Sequence, residues 1–113
     1  MPLIYHEMVK KYAIDVNSAS GRTRVLAEIW LYLPNFAWGV LNFYADDDEL
    51  QDSDSWQSVI NGKQYYVFAF RLSQYPHALD LLRRRRPVWL RIWDEPWFRG
   101  SLESEPQVVD PIV

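Results

Sequence analysis

Tryptophan, tyrosine and arginine are the residues of this sequence with the most chemical reach. Six Trp and seven Tyr among 113 residues exceed what a small core absorbs, because a buried indole N–H or phenol O–H needs a partner. Their spacing says where the excess goes. Trp30 and Tyr32 alternate with Ile29, Leu31 and Leu33, while Trp89, Arg91 and Trp93 alternate with Val88, Leu90 and Ile92, with Trp97 and Arg99 close behind. In extended backbone successive side chains point to opposite faces, so these residues are expected opposite the aliphatic sets. On neighbouring strands, Trp30, Tyr32, Trp89, Arg91, Trp93, Trp97 and Arg99 would make a Trp/Tyr/Arg patch, the composition enriched in interface hot spots. The chemistry expected is recognition: a non-enzymatic interaction protein that forms a homodimer through an aromatic, Arg-rich outer sheet face. Trp89 and Trp93 would anchor it, and Arg91 would stack or form an ion pair. The competing account is a sheet covered on both faces. An alternative function is a small-molecule or peptide binder with its pocket at the mouth of a curved sheet, lined by Trp30, Tyr32, Tyr65 and Trp97.

Two charged runs invite other chemistries. Arg83, Arg84, Arg85 and Arg86 could neutralise phosphates while aromatics stack bases, which makes a single-stranded nucleic-acid module a further alternative. Basic residues in a last helical turn also complement the macrodipole and the terminal carbonyls, and four in a row cannot share one face. Nucleic acid is therefore the least favoured partner. Residues 46–55 carry Asp46, Asp47, Asp48, Glu49, Asp52 and Asp54 and read as an acidic, solvated surface loop. An EF-hand would need Glu at the twelfth place counted from Asp46, where Gln57 stands, so no metal site is assigned. His6 and His77 are the only histidines, and no nucleophile elbow, phosphate loop or H-E-x-x-H motif occurs. Neither a catalytic residue nor a cofactor is expected.

Composition bounds the rest. With 49% hydrophobic and 24% charged residues, the chain suits one globular domain over residues 1–113. Without cysteine it has no disulfide framework and no thiolate nucleophile or ligand. A net charge of −3 does not recruit nucleic acid or anionic lipid to the molecule as a whole. Acidic groups gather before Gly62 and basic ones after it, an asymmetry that can help two copies, or two sheet layers, attract each other, though screened surface charges are worth little singly. The chain begins without a secretory pattern and has no apolar run of membrane length, so a cytoplasmic protein without membrane contact is expected.

The positioning elements follow from periodicity. Strands are expected over 8–16, 22–33, 36–45, 56–60, 63–72, 88–94 and 97–104. Asn61-Gly62 makes a type I′ hairpin turn, and Gly39 marks a bulge or a close approach. Tyr66, Phe68, Phe70 and Leu72 are assigned to the core, with Ile14, Val25, Ile29, Leu31, Leu79, Leu82, Leu90 and Ile92. Pro76 early in a stretch whose Ala78, Leu79, Leu81 and Leu82 recur at helical spacing predicts one helix over 75–84, before the last hairpin. The fold class is α+β: a mainly antiparallel sheet, strongly curved or forming a partly open barrel. Residues 105–113 are expected to be a loose tail or an added edge strand.

Overall fold

The computed structural model describes residues 3–16, 24–85, 87–95 and 97–104. Among them the chain forms β1 (Leu3–Met8), β2 (Lys11–Val16), β3 (Val25–Tyr32), β4 (Trp38–Tyr44), β5 (Trp56–Ile60), β6 (Lys63–Arg71), α1 (Tyr75–Arg84), β7 (Val88–Trp93) and β8 (Arg99–Ser104). Strand content dominates and the class is α+β. The strands make two sheets, ordered β1-β7-β8 and β2-β3-β4-β6-β5, and neither closes into a barrel. Residues 17–23, Pro96 and the tail expected over 105–113 lie outside the described residues.

The expected first strand, 8–16, forms as β2 over Lys11–Val16, and the residues before it, Leu3–Met8, make a further strand that was not expected and that belongs to the other sheet. Val9 donates its backbone N–H to Val88 O (2.8 Å) and Lys10 donates to Tyr32 O (2.8 Å), so adjacent residues bond to different sheets. The side chains change phase at the same point. Tyr5 is opposite Ile92 in β7, whereas Tyr12 and Ile14 are opposite Leu31 and Ile29 in β3. The inward set thus passes from odd to even positions across Val9–Lys10, and a phase shift of one residue exchanges the faces of a strand.

A second departure is a parallel pair. β6 lies beside β4 in parallel register, Leu41 opposite Phe68 and Phe43 opposite Phe70, while β5 is displaced to the edge as the antiparallel partner of β6. The β5–β6 turn forms as expected, with Asn61 at φ 52° and Gly62 at φ 76°. The stretch 45–55 passes the end of β6 to reach the sheet edge, and β5 then returns the chain to the start of β6, which is how β6 comes to run parallel to β4.

The two sheets share one core. Ile29, Leu31, Leu41, Phe43 and Phe68 from the five-stranded sheet meet Val88, Leu90 and Ile92 from the other, and Leu82 of α1 joins the same cluster. Two expected core residues, Ile14 and Val25, are only half-buried and lie outside this cluster, and Leu72 is exposed in a 3-10 turn after β6. Two glycines set how closely the layers approach. A Cβ on Gly39 would lie 3.1 Å from Leu90 Cδ2, so Gly39 is a close-approach point and not a bulge. A Cβ on Gly100 would lie 2.7 Å from Phe68 Cζ, and that ring stacks on Phe98 at 5.1 Å between centroids. Phe68 is fully buried and has nowhere to retreat. Gly100→Ala is therefore expected to destabilise the fold by about 1–3 kcal/mol through overpacking. Gly39→Ala, whose neighbours are the ends of two leucines, should cost less. Denaturant midpoints of the two variants check both, and an unchanged midpoint for Gly100→Ala would refute the packing argument.

Candidate interaction surfaces

The shared core decides where each candidate aromatic points. Since Ile29 and Leu31 face inward, Trp30 and Tyr32 face out from the five-stranded sheet; since Leu90 and Ile92 face inward, Trp89, Arg91 and Trp93 face out from the three-stranded one. The seven residues expected in one patch therefore occupy two surfaces on opposite sides of the molecule. Trp97 is 55% exposed and precedes β8. The expected pocket lined by Trp30, Tyr32, Tyr65 and Trp97 is split in the same way: the first three share a face and Trp97 belongs to the other sheet's hairpin.

The outer face of the three-stranded sheet is largely satisfied from within. Arg91 Nε lies 2.9 Å from Glu103 Oε2 as an ion pair by distance, without the alignment of a hydrogen bond. Arg99 places its guanidinium 5.1 Å from the Trp93 ring centre and donates to Glu95 O at 2.7 Å. Trp89 packs on His6 with centroids 4.6 Å apart. His6 belongs to β1 and does not precede the first strand. Each arginine expected to reach a partner is engaged on its own sheet.

The outer face of the five-stranded sheet is different. Strand register sets out three rows across it. Lys11, Tyr32, Trp38, Tyr65 and Ser58 form one row; Ala13, Trp30, Val40, Val67 and Trp56 the next; Asp15, Glu28, Asn42 and Ala69 the third. Trp30 meets Trp38 edge to face at 5.7 Å and Tyr65 at 6.5 Å, and Tyr32 meets Trp38 at 4.3 Å. Beneath these rings Val40 and Val67 are buried although they point outward. Trp38 and Trp56, which complete the band, were not among the expected site residues. Their signal was present in the alternation of Trp38 with Gly39, Leu41 and Phe43, but the facing of β4 is set only by its register with β3.

The acidic stretch is more ordered than a solvated loop. Arg24 donates to both carboxylate oxygens of Asp48 (3.1 and 3.1 Å), to both of Asp54 (3.1 and 3.2 Å) and to Glu49 O, and it lies over the Tyr44 ring. Arg71 donates to the carbonyls of Asp46 and Asp48, and Asp46 accepts from the Ser73 N–H at 2.9 Å. Of the acidic side chains, Asp48 and Asp54 are thus held by Arg24, and no metal-binding cluster of His, Cys, Asp or Glu occurs among the described residues. Asp54 also accepts from the Gln51 N–H at 2.8 Å. That bond, followed by Arg24, holds its carboxyl below the usual carboxylate range.

Of the arginine run, Arg83 and Arg84 close α1, Arg85 caps it and Arg86 lies outside the described residues. Arg84 pairs with Asp80 at 3.4 Å, both well exposed. α1 also bounds a cleft of about 330 Å³ lined by Leu41, Phe43, Phe70, Ala78, Leu81 and Leu102, with Gln74 and His77 among its polar walls. No helix among the described residues is long and apolar enough to cross a membrane. No protein-family model, curated protein or solved structure matches the chain.

The Asp54 arrangement carries a pH signature. A carboxyl whose folded pKa is depressed contributes stability above its unfolded pKa and loses it as pH falls through the folded one. Stability should therefore drop below about pH 4, the ordinary carboxylate range, and Asp54→Asn should flatten the drop. Thermal midpoints from pH 3 to 7 check this, and parallel profiles for the two proteins would show that Asp54 has no part in it.

Proposed function

We propose that the protein is a non-enzymatic interaction protein that pairs with a second copy of itself through the outer face of the five-stranded sheet. The observation that carries this is the band of Trp30, Tyr32, Trp38, Tyr65 and Trp56, five aromatic side chains on one face with no described helix or strand packed on them. Tryptophan and tyrosine dominate interface hot spots because they bury much area for few rotatable bonds. Five strands about 4.8 Å apart and some 20 Å long give a footprint on the order of 500 Å². Side-chain relief brings that toward the roughly 800 Å² per partner of an ordinary interface. The three-stranded face competes less well, because its arginines already have partners.

Light scattering on a sizing column across a range of protein concentrations is the direct test. The native chain is expected as a dimer, Trp30→Ala with Trp38→Ala as a cooperatively folded monomer, and Trp89→Ala with Trp93→Ala as a dimer. If the last pair alone dissociates the dimer, the three-stranded face is the interface. A native chain that is monomeric at every concentration would end the proposal.

The α1 cleft supports a second reading, a site for a small, largely apolar ligand, since its volume falls within the range of small-molecule pockets. Under that reading an anilinonaphthalene dye binds the native protein, and Ala78→Phe, which fills the cleft, abolishes the dye signal. Equal signals from both proteins would remove it.

A further inference from the structure

The outer face of the five-stranded sheet is charged at its two ends and aromatic between them, and the two ends differ in sign. Lys11 stands at one end, with its ammonium 4.6 Å from the Tyr32 ring centre. Lys10 and Lys63 line the same hollow beside Tyr32 and Trp38. At the other end Asp15 lies directly opposite Glu28, and the acidic loop is pinned close by through Arg24 and Arg71. The rows of Lys11 and Asp15 are four residues apart along β2, about 13 Å. Among the described residues, Lys11, Lys63, Asp15 and Glu28 form no ion pair. Like charges directly opposite on neighbouring strands are destabilising, so the Asp15–Glu28 pair is a repulsion that a cation from elsewhere would relieve.

From this segregation we infer that the second copy docks about a two-fold axis running across the strands, along the row Trp30–Val40–Val67–Trp56, so that Lys11 meets the partner's Asp15 and Glu28. The inference rests on the self-pairing reading and adds its geometry. Two faces that pack on each other as identical surfaces are related by a two-fold axis lying between them. An axis along the strands would leave each row over itself and bring like ends together. An axis across the strands exchanges the ends: Lys11 reaches the partner's acidic row and the middle row packs on its own copy, while position 63, four residues before Val67 on β6, comes over position 71 of the partner and adds no pairing. Opposed potentials of this kind fix register and orientation more than they add affinity. The strands of the two copies then run antiparallel across the interface.

Reversing one end at a time tests the geometry. Lys11→Glu should weaken the dimer at least about tenfold, and so should Asp15→Lys with Glu28→Lys. Mixing the two variants in equal amounts should restore a dimer, because the charges at positions 11, 15 and 28 are then opposite in sign across the interface. A second measurement uses a chain otherwise native and free of cysteine. Ala13→Cys, in the axial row, should be joined to its own copy by a short bifunctional thiol reagent, whereas Lys11→Cys should be joined far more slowly. Reversals that leave the dimer unchanged, or Lys11→Cys joining faster than Ala13→Cys, would overturn this geometry while leaving the aromatic interface in place. A native chain that never dimerises would instead overturn the self-pairing reading itself.

Discussion

The contact between the two sheets depends on two missing side chains. Phe68 is the large ring between the layers, and it can lie against β8 only because position 100 has no Cβ. Leu90 reaches β4 for the same reason at position 39. Interiors pack like organic crystals, so a single added carbon at such a point propagates instead of being absorbed. Everything else about orientation follows from that closure. Once Ile29, Leu31, Leu41 and Phe68 are committed to meeting Leu90 and Ile92, the alternate residues of every strand are committed to the outside, whatever their polarity.

That commitment explains why so many aromatic residues are left facing water. A two-layer core of this size already contains Phe43, Phe68, Phe70 and Phe98 with Tyr5, Tyr66 and Tyr75 around its rim. Burial pushes the Tyr5 phenol well above its ordinary pKa, and its hydroxyl has no partner among the described residues, so even this core strains to accommodate a polar-tipped ring. Tryptophans placed inside would add indole N–H groups to satisfy. On the outer face Trp30 can direct its N–H to Glu28 at 3.4 Å, and the rings cover Val40 and Val67, recovering part of the apolar burial that the sheet lacks on that side.

What could be read from the sequence was local, and what could not was pairing. The helix over 75–84, the Asn61-Gly62 turn and the inward faces of β3, β6 and β7 each depend on residues within a few positions of one another. The break at Val9–Lys10 was also written locally, as a change of phase, but Met8–Val16 is apolar often enough to pass for one strand. The parallel β4–β6 pair has no local signature, since the acidic stretch that carries the chain past the place of β6 to the sheet edge resembles any polar loop. The candidate patch failed to assemble for the same reason. The phases of β3 and β7 were correct, while their membership of different sheets was fixed by partners far away in sequence.

The acidic stretch shows how a long-range partner changes the meaning of a charge run. Six carboxylates in nine residues would ordinarily repel one another and spread into solvent. Arg24 arrives from the start of β3 and Arg71 from the end of β6, and their donors hold the stretch against one end of the sheet. Two arginines cannot neutralise six carboxylates, so the end they organise remains negative. The opposite end, where Lys10, Lys11 and Lys63 gather, remains positive. The fold thus converts a chain whose net charge is small into a face with opposed poles and a hydrophobic middle. Such a surface is complementary to its own reversed copy, and it acquires that property from where two arginines pin a loop, not from the number of charges the sequence contains.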